Sequence, residues 1–264
     1  MKKLAGIVCC LAILASLFSF TVFAEANPLS TVFVSIADEN GNLVLAYESV
    51  ELSDADGDGA LTVGDALANA HEAHYKDGKK GFSSEQTQYG TSMTKLWGVV
   101  NGGSYGCFVN NASAMSCSDA VKAGDHIYAF VYTDTLMFSD NYSYFDVQSV
   151  TAKRGDTVTI TLRASGYDEN WNPYTAPVAN AVILVDGEDS GIRTDENGSA
   201  SIAVDFRQNA VLSARSDDQI ITPPVCLISV EAPFSISMIV YFCLICIVAA
   251  VGGIFWMKRK GSHA

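Results

Sequence analysis

The amino-acid sequence predicts an α+β chain that is mostly β and ends in one C-terminal transmembrane helix. Short alternating runs of β-branched and apolar residues, separated by turn residues, dominate both halves of the chain. One segment, residues 63–75, instead places its apolar residues at helical spacing. An uncharged run, residues 236–257, matches the roughly 20 apolar residues that a helix needs to cross a bilayer.

The first 24 residues are typical of a secretory signal peptide. Lys2 and Lys3 precede a long apolar run, and small residues lie just before Glu25, where cleavage is expected. The alternative is an uncleaved signal anchor, because the apolar run is long.

The predicted span 236–257 is followed at once by the basic cluster Lys258-Arg259-Lys260, within a short tail of residues 258–264. Basic residues that abut a span mark its cytoplasmic side. We therefore expect a single-pass protein of the cell membrane, held in the lipid bilayer by this helix, with the middle of the chain extracellular.

The charged residues are distributed unevenly along the chain. All 29 acidic residues lie between Glu25 and Glu231, together with 11 of the 16 basic ones, so this middle carries a net charge of −18. Such a balance repels nucleic acid, which we therefore exclude as a partner, and it suits the binding of cations.

The middle of the chain divides into two predicted domains, residues 28–134 and 146–231, joined by a polar, turn-rich segment. In the first, Thr31–Ile36 alternates like a strand, Asn40-Gly41 is a strong hairpin signal, and one helix follows. The second shows only short strands with turns between them, which indicates a β-sandwich.

An acidic, glycine-rich loop precedes the helix and resembles the calcium loop of EF-hands, most closely the dockerin type. Asp54, Asp56 and Asp58 alternate, Ala60 offers a backbone carbonyl, and Asp65 occupies the twelfth position. These five residues are the predicted ligands of a structural calcium ion. The alternative is an acidic turn that caps the helix.

Seven cysteines include only three in the predicted extracellular part, Cys107, Cys117 and Cys226. A Cys107–Cys117 disulfide that closes a short loop is predicted outside the cell. One thiol is then left free or paired between chains.

Three groups of residues, taken in order, carry a resemblance to a known family. They are the acidic loop running into the helix (residues 56–75), Trp97 with Val100-Asn101-Gly102, and Val121 with Gly124-Asp125. This order resembles the transcobalamin-type C-terminal domain of bacterial surface proteins. The resemblance implies a β-grasp-like domain with one helix, which in relatives helps to enclose a corrinoid.

Aromatic residues of the first domain are candidates for lining a ligand groove. We predict Trp97, Tyr105 and Tyr128 as ligand-binding residues. The alternative is that these side chains are core residues of strands.

The second domain resembles a transthyretin-type or collagen-adhesin-type surface module, an Ig/transthyretin-like β-sandwich. The matching segments are residues 177–185, Thr194–Gly198 with its turn glycine, and residues 211–214. Modules of this kind are spacers or adhesive platforms.

No enzymatic activity is predicted. His71 and His74 lie three apart on the helix and lack the four-residue spacing of a zinc protease, so they are interpreted as solvated. We expect a bacterial cell-surface binding protein that captures a corrinoid or similar small ligand. The alternative is a structural or adhesive surface protein that binds a surface protein or glycan and no small molecule.

Overall fold

The computed structural model describes residues 30–102, 104–167, 170 and 172–231. The predicted signal peptide 1–24, the predicted span 236–257 and the tail 258–264 lie outside these residues. Within the described part of the chain, no helix has both the length and the apolar character needed to cross a bilayer.

The first unit contains seven strands, one α-helix and a short 3₁₀ helix. These are β1 (Thr31–Ala37), β2 (Leu43–Glu51), α1 (Val63–His74), the 3₁₀ helix (Gly78–Gly81), β3 (Ser83–Thr87), β4 (Gly90–Lys95), β5 (Tyr105–Val109), β6 (Ala112–Ser113) and β7 (His126–Val131).

The second unit contains only strands among the described residues. These are β8 (Tyr142–Phe145), β9 (Ser149–Ala152), β10 (Thr157–Tyr167), β11 (Pro173–Pro177), β12 (Val182–Val185), β13 (Glu188–Arg193), β14 (Ser199–Ala203), β15 (Ala210–Arg215) and β16 (Cys226–Val230). Across the two units, the prediction of a mostly β chain with one α-helix is confirmed.

A five-stranded mixed sheet forms the centre of the first unit, in the order β2-β1-β7-β5-β6. Strands β1 and β7 run parallel, whereas β1–β2 and β5–β7 are antiparallel. Helix α1 packs on β1 and β2. Its buried residues Ala66, Leu67 and Ala70 join Val34 and Ile127 of the sheet in one core.

Helix α1 begins at a capping box. The Thr62 hydroxyl accepts from the N–H of Asp65, and the Asp65 carboxylate accepts from the N–H of Thr62. This reciprocal pair satisfies two of the backbone donors that a helix leaves unpaired at its start. The structure therefore places the start of the helix at the end of the acidic loop.

The second unit is a pair of sheets that pack face to face, so the predicted sandwich-type arrangement is confirmed. One sheet has the order β11-β10-β14, with β8 also pairing with β10, and the other has the order β13-β12-β15-β16-β9. Ile160 and Leu162 of the first meet Ile183, Leu212 and Ile228 of the second in one core. The segment predicted as a connecting loop contains strand β8 instead. Its residues Tyr142 and Phe145 are buried.

Strand β7 is buried on both faces. One face lies in the core of the first unit, and the other contacts the second unit. Side chains alternate along a strand, so Ile127, Ala129 and Val131 face the helix core, while Tyr128 and Phe130 face away from it. The far face is covered by the second unit. We call the group Phe108, Tyr128, Phe130 and Tyr142 the inter-unit aromatic cluster.

Candidate functional site

The acidic loop brings three of the predicted calcium ligands together. One carboxylate oxygen from each of Asp54, Asp56 and Asp58 lies within 4.8 Å of the others, and all three residues are exposed. Gly57 and Gly59 adopt φ values of 81° and 88°, the left-handed region that glycine enters without steric cost. The two glycines thus allow the chain to curl so that the carboxylates converge.

Backbone amides hold these carboxylates in place. Asp54 accepts from the N–H of Gly57 at 2.6 Å and of Gly59 at 2.8 Å, and Ala60 donates its N–H to Asp58 at 2.8 Å. The bond from Gly59, followed by those from Gly57 and Asp58, lowers the pKa of Asp54 despite some desolvation.

The pKa of Asp56, unlike that of Asp54, is raised. The N–H of Asp58 lowers its pKa, but desolvation and the negative charges of Asp58, Asp65 and Asp54 together raise it. A bound cation would relieve this repulsion, because an opposite charge favours the ionised carboxylate.

Asp65 caps the helix and also accepts a hydrogen bond from the acidic loop. One of its oxygens accepts from the Thr62 N–H at 2.9 Å and the Thr62 hydroxyl at 2.6 Å, and the other accepts from the Ala55 N–H at 2.7 Å. Asp65 is also buried. In this structure Asp65, the predicted ligand at position twelve of the loop, therefore caps the helix. Ala60 donates its N–H to Asp58.

The three predicted ligand-binding aromatics do not line one groove. Trp97 and Tyr105 are half-buried beside the same turn, residues 96–101, on the helix side of the sheet. The Tyr105 hydroxyl lies 2.9 Å from the Thr94 carbonyl and accepts from the Asn101 N–H at 3.2 Å. Tyr128 is buried on the opposite face in the inter-unit aromatic cluster, because its position on β7 points it away from Trp97.

Trp97 adopts a strained backbone conformation. Its φ of 49° is uncommon for a non-glycine residue and carries a cost of about 1 kcal/mol or more. The ring packs against His71 and Tyr75, with centroids 5.2 Å away in each case. The surrounding rings hold Trp97 in this turn.

His71 lies beneath that turn and is buried, contrary to the interpretation of a solvated pair; His74 is exposed as expected. The Nε2 atom of His71 accepts from the Trp97 N–H at 3.0 Å, so Nδ1 carries the proton and donates to the Leu67 carbonyl at 2.6 Å. Burial lowers the pKa of His71 to about 4. Helical spacing alone could not show that a loop 26 residues away would cover it.

A second buried histidine begins strand β7. His126 places Nε2 2.9 Å from the Ser35 hydroxyl, and its Nδ1 has no hydrogen-bond partner in the described structure. Burial lowers the pKa of His126 to about 4. A serine–histidine pair used in catalysis needs an acidic group on the other ring nitrogen and an accessible hydroxyl. Ser35 is fully buried, so the pair is structural.

The three cysteines in the described part of the chain are free and buried, so the predicted Cys107–Cys117 bridge is not formed in this structure. Both residues line one cavity of about 130 Å³. Burial raises the pKa of Cys107, and it raises that of Cys117 to about 11 and that of Cys226 to about 12. The bridge stays a prediction.

A cavity between the two units holds none of the predicted site residues. It measures about 540 Å³ and is lined by polar groups that include Asn40, Thr133, Arg215 and Asp217. Arg215 is already engaged by Asp217 at 2.8 Å and Asp189 at 3.4 Å.

Fold and sites together define a mostly β protein of two packed units with an exposed acidic loop. No family model matches the chain, and no curated protein matches it. Among solved structures, the N-terminal four Ig domains of Dscam1 isoforms 7.44 and 4.44 are similar at 12% identity, with TM-scores of 0.23 and 0.24. The match covers 79% of this chain and 45% of each Dscam1 chain. A likeness at these TM-scores assigns neither fold nor function.

Proposed function

We propose that this chain is a structural or adhesive protein of the cell surface, held in the membrane by its C-terminal segment. The observation that carries the proposal is the inter-unit aromatic cluster. It joins the two β units into one body and buries Tyr128, one of the three aromatic residues predicted to line a groove. A continuous body of this kind suits a spacer or an adhesive platform.

Both aromatic rings and polar groups take part in the inter-unit contact. Phe108 stacks on Tyr142 with ring centroids 3.7 Å apart, and Tyr128 meets Tyr142 at 5.3 Å. The Tyr128 hydroxyl donates to the Pro223 carbonyl at 2.6 Å, and the Tyr142 hydroxyl donates to Asn111 at 2.9 Å. Buried tyrosines whose hydroxyls are satisfied hold such a contact in one geometry.

The finer fold assignments belong to this proposal. The sheet order β2-β1-β7-β5-β6, with β1 and β7 parallel and α1 across β1 and β2, supports a β-grasp-like first unit. The two face-to-face sheets of the second unit support an Ig/transthyretin-like sandwich.

Surface display rests on the two apolar end segments and the acidic middle of the sequence. The test is the full chain produced in a bacterium and treated with protease from outside intact cells. Cleavage of the acidic middle, with the C-terminal tail left on a membrane-bound fragment, supports the proposal. A chain recovered wholly from the cytosol would contradict it.

Corrinoid capture is a second candidate, and the strained Trp97 turn favours it. Val100 in that turn is 67% exposed, and Tyr105 lies beside it. Titration of the full chain with cobalamin separates the two functions. An absorbance change that Trp97→Ala removes would support capture, whereas no change supports the structural or adhesive role.

We further propose that the acidic loop binds a structural calcium ion. Calcium at a hundred times its dissociation constant would stabilise the chain by about 2.7 kcal/mol, because only the folded loop gathers the carboxylates. We expect the melting temperature to rise with calcium, and Asp56→Ala to abolish the rise. Asp77→Asn, which changes an exposed aspartate outside the loop, is the matched control. Equal melting temperatures in calcium and in chelator would rule out the site.

The Cys107–Cys117 bridge is proposed for the exported protein. Closing this short loop would contribute about 3 kcal/mol by restricting the unfolded chain. Intact-mass measurement of alkylated protein from the membrane fraction, before and after reduction, tests it. We expect two cysteines to become alkylated only after reduction, and Cys107→Ser to remove that pair. Full alkylation without reduction, under denaturing conditions, would disprove the bridge.

A further inference from the structure

The loop between β7 and β8 displays three consecutive apolar side chains to solvent. Leu136 is 87% exposed, Met137 is 78% exposed and Phe138 is 50% exposed. We call these three residues the apolar tip. Single exposed apolar residues are ordinary on protein surfaces, whereas contiguous ones mark interaction sites.

The apolar tip stands on a loop that is built by hydrogen bonds. One oxygen of Asp134 accepts from the N–H groups of Leu136 and Met137, and the other accepts from the Ser139 hydroxyl at 2.7 Å. Asp140 is buried and accepts from the Thr133 N–H and hydroxyl, each at 2.8 Å. A loop fixed in this way loses little conformational freedom on binding, which favours affinity.

The apolar tip is continuous with the interior of the protein. The Phe138 ring lies 5.5 Å from that of Tyr132, which lies 4.9 Å from Phe130 in the inter-unit aromatic cluster. Burial, with the nearby Asp140 and Tyr167, raises the pKa of Tyr132. Tyr167 is 60% exposed and extends the apolar surface at this end of the molecule.

The charge around the apolar tip is negative. Asp134 and Asp140 lie in its loop, and the cavity beside Thr133 is lined by Glu39, Asp217 and Asp218 together with Arg215. A second copy of this acidic chain, or an anionic lipid surface, would meet like charge here. A partner with basic groups at the rim of the contact would meet opposite charge.

The apolar tip lies far from the C-terminal end of the described chain. Glu231 lies near Lys153, with 3.8 Å between their charged groups, close to the start of β10, whereas Tyr167 is the last residue of that strand. An 11-residue strand spans roughly 35 Å. A C-terminal anchor therefore leaves the apolar tip at the membrane-distal side.

We propose that the apolar tip docks into an apolar groove that is rimmed by lysine and arginine on a partner protein. This docking surface names the class of partner for the proposed adhesive function. Its orientation away from the membrane rests on that proposed function. Hydrophobic insertion supplies the affinity, and the acidic surroundings select a basic partner.

A displayed peptide library, selected on the full chain in lipid nanodiscs, tests the proposal directly. We expect the selected peptides to combine apolar residues with lysine or arginine. The double variant Leu136→Ser/Met137→Ser should bind them at least about tenfold more weakly, which is about 1.4 kcal/mol. Tyr89→Ser is the matched control, because Tyr89 is 86% exposed on the β3–β4 turn.

Four outcomes would overturn the proposal. They are peptides that bind the double variant as tightly as the parent, selected peptides without basic residues, a tip-dependent dimer, and tip-dependent binding to phosphatidylcholine vesicles. The selection uses purified protein, so its failure is distinct from the failure of surface display, which protease treatment of cells measures separately.

Discussion

Replacing Phe130 with alanine is expected to lower the free energy of unfolding by about 3–5 kcal/mol, the usual cost of removing a buried phenylalanine. The side chain is 1% exposed. A Cβ placed on Gly106 would lie within 3.0 Å of three atoms of the Phe130 ring, so the ring packs directly on the β5 backbone. The variant leaves a cavity at the inter-unit contact.

Denaturant unfolding of the full chain measures this effect, with Phe138→Ala as the matched control. Phe138 is half exposed, so its loss should change stability by less than about 1 kcal/mol. Equal stabilities of the parent and Phe130→Ala would show that the aromatic cluster does not join the units.

Acidification is expected to destabilise the protein through His71 and His126. Burial lowers the pKa of each from 6.5 to about 4 in the folded chain. Below pH 6.5 the unfolded chain binds a proton at each histidine, whereas the folded chain does so only near pH 4. Their contribution is therefore complete above pH 6.5 and is lost as the pH falls towards 4, by about 3 kcal/mol for each histidine.

The pH dependence of unfolding in suitable variants isolates these groups from the carboxylates. His71→Gln removes one titrating group, so its stability should fall by about 3 kcal/mol less than that of the parent between neutral and acidic pH. His74→Gln, which changes an exposed histidine of the same helix, is the matched control. Identical slopes in all three proteins would contradict the burial of a neutral His71.

Local patterns in the sequence were sufficient for much of the fold. Apolar spacing predicts a helix at residues 63–75, and α1 spans Val63–His74. Asn40-Gly41 predicts a hairpin turn, and β1 pairs with β2 antiparallel around it. Strand β10 alternates between exposed and buried residues, as a half-buried strand should. Each of these signals depends on neighbours close in the sequence.

Features that depend on distant contacts were not readable in the same way. A mostly apolar run such as β7 indicates that both faces of the strand are buried, but it does not indicate which element covers each face. The sequence predicts Tyr128 in a ligand groove, whereas its hydroxyl donates to the Pro223 carbonyl, 95 residues away. By spacing, Asp65 fits both a calcium ligand and a helix cap. Only its contact with Thr62 shows that it caps the helix.

Hydrogen exchange of the full chain in increasing denaturant tests the central claim, that the inter-unit aromatic cluster makes the two units one body. Amides of Ile127 and Ala129 on β7 report on the first unit, and those of Ile160 and Leu162 on β10 report on the second. We expect the most protected amides of both strands to exchange through one common opening, with the same free energy and the same dependence on denaturant. If the amides of one unit stay protected after those of the other have exchanged, the two units are independent and the aromatic cluster does not make them one body.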